Sequence, residues 1–327
     1  MTLPDRVATD THDFAPFVRI LGRGPGRSRS LTRDEARMAL GMVLRGEATR
    51  EQIGALLMLL RYRGEATEEM VGLIEGACAH ANLPWRFTTP VQLDWPSYAD
   101  GRTRGLPWYL LAALLIARAG HRVVMHGPLA GPGRQKLVTS LRLLGIAPAT
   151  TAEAAEARLA RENFAFLPLE QLSPGLSDLL ALRGVLGLRS PLNTVGRLLD
   201  PCHASASIDG VFHPAYIALH LSAAGQLGRT IAVLKGGGGE AEWTGVKPLT
   251  LNTSQGEQTW PAQPGAGKPI SQTPAELTAL WHGTHHDIAA QTAVIATTAV
   301  ALHALDPASD QAACLHQAAE LWANRCG

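Results

Sequence analysis

Short apolar runs alternate with helical patterns from residue 91 onward, and this alternation restricts the chain to few folds. The runs with strand character are 91–93, 121–126, 164–167 and 230–234. Helical patterns at 106–119 and 214–224 separate them. Strands that alternate with helices form a mainly parallel sheet with helices on its faces. We therefore predict an α/β domain over residues 86–327.

The first 85 residues have a different, wholly helical pattern. Thr32 with Glu35, and Thr49 with Gln52, have the spacing of capping boxes, and apolar residues follow each at helical intervals. Thr67 is the expected cap of a third helix. Short links that contain glycine predict antiparallel neighbours in a small bundle. We predict a helical N-terminal domain over residues 1–85, joined by helices from about 173–200.

Charge is distributed unevenly along the chain. The 327 residues have a net charge of +1, which taken alone argues against a strongly basic nucleic-acid binder. Residues 1–142 contain 19 Lys and Arg against 13 Asp and Glu, a net of +6, whereas residues 143–327 contain 10 against 15, a net of −5. Arginine greatly outnumbers lysine, which reflects either coding bias or phosphate recognition by guanidinium groups. The uneven charge leaves room for a local basic groove.

The cysteine spacing and the apolar runs indicate in which cellular compartment the protein is expected. The cysteines, which form no CxxC pair and match no zinc or disulfide spacing, are Cys78, Cys202, Cys314 and Cys326. We interpret them as small packing residues of a cytoplasmic protein. The densest apolar stretch, Leu110 to Ala117, is shorter than the roughly 18 residues of a membrane span, and the N-terminus has no signal-peptide pattern. We expect no membrane partner.

Three segments follow predicted strands, namely 94–108, 126–136 and 235–242. Ligands in parallel sheets bind outside the carboxyl ends of the strands, so we expect these segments to converge. Gly236–Gly239 is either a phosphate-binding loop or a tight connection, and no Walker A motif follows it. Histidines at 282, 285 and 286 resemble metal-ligand spacing, but they lie at a helix start away from these loops. We predict no metal there.

Two long stretches resemble the anthranilate phosphoribosyltransferase family (glycosyltransferase family 3). The first runs from Leu31-Thr-Arg-Asp-Glu-Ala to Arg61-Tyr-Arg-Gly-Glu-Ala-Thr-Glu-Glu, and the second is the Arg-rich segment 182–201. His126-Gly127 falls on the family's K-H-G-N, and 231–242 on its V-x-G-x-D-G-x-D-E. The resemblance covers almost the whole chain and implies the nucleoside phosphorylase/phosphoribosyltransferase fold.

The chain departs from the family's pattern where the family binds its phosphoribosyl donor. The G-T-G-G-D loop that holds the diphosphate falls near 97–101, where most of the glycines are missing. The acidic pair that holds magnesium reads Ala241-Glu242. One carboxylate is a poor substitute for two, because Mg²⁺ requires a near-octahedral set of oxygen ligands. The resemblance thus implies no catalytic residue and no cofactor, with Mg²⁺ at Glu242 only if transferase activity remains.

Basic residues occur in the loops near these positions, and Arg183 matches the family's acceptor-side arginine. The candidate phosphate contacts are Arg102, Arg104, Arg134, Lys136, Arg183 and Lys235. The remaining residues assigned to the former donor site are His126, Gly127, Gly236, Gly237, Gly238 and Gly239. This pattern resembles a divergent branch of the family whose members bind nucleic acid, lack the biosynthetic activity and form homodimers through the helical domain. Trp95, Tyr98 and Trp108 either stack on bases or pack in the core.

Two functions therefore remain open at the level of sequence. The first is binding of single-stranded DNA or RNA with weak sequence preference. The second is a phosphoribosyltransferase that uses Mg²⁺ and phosphoribosyl pyrophosphate with an unknown acceptor. A pyrimidine nucleoside phosphorylase is a third hypothesis, although the chain is short for an enzyme of that kind. The Gly22–Ser30 segment would either contact nucleic acid or link to the bundle.

Overall fold

The computed structural model describes residues 13–24, 26–81, 87–99 and 105–326. The chain divides into two compact units by its internal contacts. The helical unit comprises Met1–Leu83 and Ser173–Leu199, and the α/β unit comprises Pro84–Leu172 and Asp200–Gly327.

Helices make up the regular structure that is described in the first unit. With helices numbered in chain order, they are α1 (Ala15–Gly22), α2 (Arg33–Leu44), α3 (Arg50–Arg63), α4 (Thr67–His80), α9 (Pro174–Ala181), α10 (Arg183–Leu186) and α11 (Leu192–Arg197). Helices α2 and α4 pack closely, and α11 contacts α4 and α9. Leu40, Leu60 and Ile74 are among the buried residues of this core.

The capping boxes at Thr32 and Thr49 are confirmed. The expected cap at Thr67 is wrong, because Thr67 is the first residue of α4 and Ala66 precedes it as the cap. The Glu69 carboxylate accepts the Ala66 N–H at 2.9 Å and the Leu31 N–H at 2.6 Å. Glu69 thus supplies the carboxylate half of a capping box, whereas Ala66 has no side-chain oxygen that could accept the Glu69 N–H.

Glu35 gives the helical unit an acid-sensitive contact. Arg29 and the Thr32 N–H donate to its carboxylate and lower its pKa from 4.5 to about 2. Since the pKa is depressed in the folded state, the stabilisation is present above pH 4.5 and is lost as the pH falls through 2. We expect Glu35→Gln to lower the free energy of unfolding by about 1 kcal/mol at neutral pH.

Urea unfolding at neutral and strongly acidic pH measures this difference, which should shrink as the solution is acidified. Glu276→Gln is the matched control, because Glu276 also closes a capping box but has no arginine partner in its described contacts. Glu276→Gln should lower the free energy of unfolding by less than Glu35→Gln does. A Glu35→Gln deficit that is unchanged at acidic pH would contradict the assignment.

The second unit is built on a sheet whose described strands number seven. They are β1 (Leu93–Pro96), β2 (Val123–Gly127), β3 (Phe164–Pro168), β4 (Ala206–Val211), β5 (Ile231–Lys235), β6 (Leu249–Thr253) and β7 (Gly256–Trp260). Their order is β3-β2-β1-β4-β5-β6-β7. The first five are parallel, whereas β6 pairs antiparallel with β5 and β7. The predicted mainly parallel sheet is confirmed, and strand β4 and the β6–β7 hairpin are additions to it.

Helices flank this sheet, and apolar residues fill the space between. They are α5 (Trp108–Arg118), α6 (Gln135–Leu143), α7 (Ala152–Glu162), α8 (Leu169–Leu172), α12 (Ile217–Gln226), α13 (Pro274–Trp281), α14 (Ile288–Leu305) and α15 (Gln311–Ala323). Short 3₁₀ turns occur at Pro214–Tyr216 and Gly237–Gly239. The core is continuous from α5 across the sheet to α14 and α15.

Helix α14 corrects the expectation about apolar runs. Its 18 residues have a mean hydropathy of 1.6 and are long and apolar enough to cross a membrane by length and composition. Two thirds of the helix is buried against α5, α15 and the sheet. A central helix of a globular domain is apolar on most faces for the same reason, so burial accounts for its composition.

Candidate functional site at the strand ends

The loops that follow β1, β2 and β5 meet at one buried carboxylate. Ser97 Oγ donates to Glu240 Oε1 at 3.1 Å, and the Ala99 N–H donates to the same oxygen at 2.8 Å. Arg134 Nη1 lies 3.4 Å from it. Ser97 and Ala99 follow β1, Arg134 follows β2, and Glu240 follows β5. The predicted convergence of these segments is confirmed.

Arg134 lies inside this cluster and is only 3% exposed. Its Nε donates to the Pro128 carbonyl at 2.7 Å, and Nη2 donates to the Ser97 carbonyl. A guanidinium that is buried against two carbonyls and a carboxylate is not open to a nucleic-acid phosphate. The expectation of a phosphate contact at Arg134 is corrected accordingly, and the side chain is an internal counter-ion.

Two further carboxylates accept backbone N–H groups at neighbouring strand ends. Glu242 Oε2 accepts the Tyr109 N–H at 3.1 Å in the first turn of α5. Glu170 Oε1 accepts the N–H groups of Leu129 and Ala130 at 2.9 and 3.0 Å. Helix N-termini and loop amides of this kind are ready sites for anions. Here the chain supplies the anions itself.

The hydrogen bonds of Glu240 and Glu242 do not suit a magnesium site. Glu240 Oε1 and Glu242 Oε2 accept N–H and O–H donors, which compete with coordination to a cation. Across the described residues, no group of three or more His, Cys, Asp or Glu side chains is arranged to hold a metal ion. Glu242, the residue to which the enzymatic reading assigned Mg²⁺, therefore lies in a donor set that does not suit the ion.

The glycine loop uses its amides internally. The N–H groups of Gly236, Gly237 and Gly239 donate to the carbonyls of Val211, Glu242 and Gly236, at distances of 2.9–3.2 Å. Gly238 adopts φ +66° and Gly239 φ +90°, a region that glycine enters freely. This geometry matches a tight connection more than a phosphate-binding loop.

His126 and Gly127 are also buried. Tyr98 Oη and His126 Nδ1 are 2.9 Å apart. His126 Nε2 lies 3.2 Å from Asp94 Oδ1 in an orientation that makes no hydrogen bond. A Cβ on Gly127 would approach the Ser97 carbonyl oxygen to 2.1 Å, so glycine is required there by close packing. Neither residue presents a free group to a ligand from this position.

Asp94 also influences the thiol and carboxyl beside it. Burial raises the pKa of Asp200, and the Asp94 carboxylate raises it further, while Arg229 at 3.7 Å opposes the change. Burial raises the pKa of the Cys202 thiol well above its usual value, with contributions from both carboxylates. The neutral thiol is the stable form, so Cys202 acts as a packing residue.

The aromatic residues considered for base stacking lie in the core. Trp95, Tyr98 and Trp108 are 0, 1 and 2% exposed. Of the two interpretations left open for them, core packing is the correct one, because a buried ring has no face available to a base.

The other candidate cations have different positions. Lys235 is exposed at the end of β5. Lys136 is partly exposed, and its ammonium donates to the Gly105 carbonyl at 3.2 Å. Arg183 is partly exposed and belongs to the helical unit. Arg102 and Arg104 lie outside the described residues, so the hypothesis about them stays a prediction.

An open cavity of about 1080 Å³ lies beside the ends of β5 and β6. Its lining includes the basic Lys235 and Lys247 and the acidic Glu242 and Glu257. Strand β4 ends next to β5, where Val211 pairs with Lys235. The residues that follow, Phe212 and His213, are exposed and stack edge-to-face with ring centroids 4.8 Å apart.

Sequence reasoning missed Lys247, Phe212 and His213. Strand β4 was not predicted, so its end was not searched. An aromatic residue directly after the 206–211 segment, in which Ala206, Ile208 and Val211 are the apolar positions, was the signal that could have identified this position.

Within the histidine-rich segment, His285 and Asp287 take part in local hydrogen bonds. Asp287 caps α14 through the Ala290 N–H at 3.0 Å and accepts the Ser271 hydroxyl at 2.7 Å. His285 Nε2 lies 3.1 Å from the same hydroxyl. The hydrogen bonds to Ser271 and to the helix terminus lower the pKa of Asp287 despite its burial.

Comparisons with known proteins match this architecture. Residues 16–81 match the helical bundle domain of the glycosyl transferase family. The uncharacterized protein YbiB of Escherichia coli is 30% identical over 208 residues, which are 63% of this chain and 65% of YbiB. An anthranilate phosphoribosyltransferase of Oleidesulfovibrio alaskensis is 32% identical over 219 residues, 67% of this chain and 66% of the enzyme. The matches thus span just under two thirds of these relatives.

Solved structures share the whole fold. Anthranilate phosphoribosyltransferase from Thermus thermophilus superposes with a TM-score of 0.79 at 24% identity, covering 94% of this chain and 95% of that one. The enzyme from Saccharomyces cerevisiae, in complex with PRPP and Mg, gives 0.80 at 16% identity and covers 97% and 95%. With its helical bundle and seven-stranded sheet, the chain is an anthranilate phosphoribosyltransferase-like protein of glycosyltransferase family 3.

Proposed function

We propose that this protein binds single-stranded nucleic acid, with weak sequence preference, on an anthranilate phosphoribosyltransferase-like fold without using the phosphoribosyl donor site. The observation that carries the proposal is the open cavity at the ends of β5 and β6, which has Lys235 and Lys247 on its lining. Exposed Phe212 and His213 follow the neighbouring strand β4. Cations beside exposed aromatic rings are common features of sites that bind single-stranded nucleic acid.

The buried cluster around Glu240 also supports the proposal, because it makes the former donor site unsuitable for a phosphate. In the family, the loop after β1 holds a diphosphate, but here the Ala99 N–H and the Ser97 hydroxyl both donate to Glu240. A carboxylate in that position repels a diphosphate and occupies the donors that would bind it. Phosphate groups would therefore meet this unit at its exposed lysines.

The charges on the cavity lining limit the expected affinity. Glu242 is buried and accepts the Tyr109 N–H, which leaves Glu257 as the exposed acid on the lining beside the two lysines. Binding by a small number of phosphate contacts is weak at physiological salt and falls steeply as salt increases. Arg102 and Arg104, from the loop after β1, are proposed to add to these contacts.

The test is a titration of labelled single-stranded DNA and RNA at several salt concentrations. We expect Lys235→Ala with Lys247→Ala to reduce the slope of log affinity against log salt by about 1–2 units, since each lost phosphate contact removes about 0.7–1. Phe212→Ala should weaken binding about fivefold or more at fixed salt, because stacking on one base is worth roughly 1–3 kcal/mol. Glu257→Gln should strengthen it.

Lys268→Ala is the matched control, since Lys268 is an exposed lysine outside the cavity lining. It should leave the salt slope unchanged. Absence of binding at low salt, or equal losses for Lys268→Ala and the double variant, would contradict the proposal.

The alternative, a phosphoribosyltransferase with an unknown acceptor, has its own test. Calorimetry of the intact chain with phosphoribosyl pyrophosphate and Mg²⁺ should detect no heat of binding at millimolar ligand if Glu240 occupies the site. Saturable heat would favour the enzyme. The family resemblance also suggests a homodimer joined through the helical unit, which sedimentation of the intact chain tests. The cysteine pattern suggests a cytoplasmic protein.

A further inference from the structure

We infer that Glu240 is a built-in anion that occupies a phosphate-type oxyanion site, and that this site binds a free oxyanion once the Glu240 carboxylate is removed. The inference stands apart from nucleic-acid binding, because the cavity lysines take no part in it. It concerns the buried cluster formed by Ser97, Ala99, Arg134 and Glu240 alone.

The donors that meet Glu240 are those of an oxyanion site. A backbone N–H and a hydroxyl from the loop after β1, and a guanidinium from the loop after β2, meet at one oxygen, Glu240 Oε1, at 2.8, 3.1 and 3.4 Å. Charge-assisted hydrogen bonds from this mixture of groups favour phosphate, sulfate and carboxylate alike. The cluster is buried, with Ser97, Ala99 and Glu240 at 0% exposure, so water screens these interactions little.

In the part of the chain that the structure describes, the same site offers no hydrogen-bond donor to the second carboxylate oxygen. Glu240 Oε2 is buried and has no hydrogen-bond partner among the described residues. Buried polar atoms without partners are rare in proteins and unfavourable. A void of about 10 Å³, close to the space of one water, lies beside Glu240 and is also lined by Gly105, Gly133 and Lys136. A tetrahedral oxyanion would have further oxygens to place in this void near the Lys136 side chain.

The glycines around the loop explain how the carboxylate is held there. A Cβ on Gly210 would lie 2.1 Å from the Glu240 carbonyl carbon, and a Cβ on Gly236 would lie 1.6 Å from the Glu240 carbonyl oxygen. The backbone of Glu240 thus packs directly on β4 and on the start of its own loop. The glycines position an internal anion, a role different from cradling an external phosphate.

The experiment compares Glu240→Ala, which empties the site, with the wild type and with Glu240→Gln, which keeps it filled by a neutral side chain. Thermal unfolding is measured in inorganic phosphate and in chloride at matched ionic strength. At about ten times its Kd, phosphate should raise the Tm of Glu240→Ala by roughly 2–4 °C. The wild type and Glu240→Gln should show no phosphate-specific increase.

Adding Arg134→Met to Glu240→Ala should abolish the increase. If Glu240→Ala does not survive purification as a folded protein, refolding from urea is measured instead, and phosphate should raise the yield about twofold or more over chloride. Equal values in phosphate and chloride would overturn the inference in either format. So would an equal response of Glu240→Gln or of the wild type, since phosphate would then be binding elsewhere.

Discussion

Replacement of Arg134 by methionine is expected to lower the free energy of unfolding by about 3–5 kcal/mol, because it leaves a buried carboxylate without its counter-charge. Arg134 is 3% exposed and Glu240 is 0% exposed. The substitution also removes the donors to the carbonyls of Ser97 and Pro128. Urea unfolding of the intact chain, followed by circular dichroism, measures the loss.

The second half of this prediction concerns the pair. Replacing Glu240 by leucine in the Arg134→Met variant should recover part of the lost free energy of unfolding, because an apolar pair avoids the desolvation of both charges. Arg161→Met is the control, since Arg161 is exposed and its bond to Glu162 lies at the surface. That variant should change the free energy of unfolding by less than about 1 kcal/mol. If Arg134→Met were no more harmful than Arg161→Met, the internal ion pair would be refuted.

Gly72→Ala is expected to destabilise the helical unit by about 3 kcal/mol through overpacking. A Cβ at this position would lie 2.1 Å from the Arg33 carbonyl oxygen and 2.9 Å from the Ala36 Cβ. Relief requires α2 and α4 to move apart, since the nearest obstacle is backbone. Loss of this close contact would expose the apolar faces that the two helices share.

Gly54→Ala is the matched control within the same unit. Gly54 lies inside α3, and an added Cβ meets no atom within 4 Å. Alanine there should stabilise by about 0.5–1 kcal/mol, because glycine is the poorer helix former. Thermal unfolding should thus move in opposite directions for the two substitutions. Equal effects would mean that the packing of α2 on α4 does not depend on Gly72.

Local chemistry explains which predictions from sequence succeeded. The capping boxes at Thr32 and Thr49 involve residues three positions apart, and their geometry depends on little beyond the helix itself. The parallel sheet followed from the alternation of strand and helix patterns, which is also local. Strand β4 and the β6–β7 hairpin were missed, because their short runs lack a strong period and are stabilised by neighbours in the sheet.

The candidate site shows the limit of such reasoning. That the loops after β1, β2 and β5 meet follows from parallel strands that end on one edge, and this was predictable. Whether Arg134 faces water or Glu240 depends on the side chains that surround it, and these come from distant parts of the sequence. The sequence pattern of a cation in a strand-end loop is therefore the same whether the cation binds an external phosphate or an internal carboxylate.

The sequence by itself determined the helical bundle, the mainly parallel sheet and the departure from the family's donor-binding motifs, because propensity, periodicity and motif spacing are properties of neighbouring residues. Tertiary structure alone decided that the strand-end donors bind the chain's own carboxylates. It also decided that Lys235 is exposed beside a cavity. Burial and pairing of charges depend on contacts between residues as far apart as Ala99 and Glu240, which no local pattern encodes.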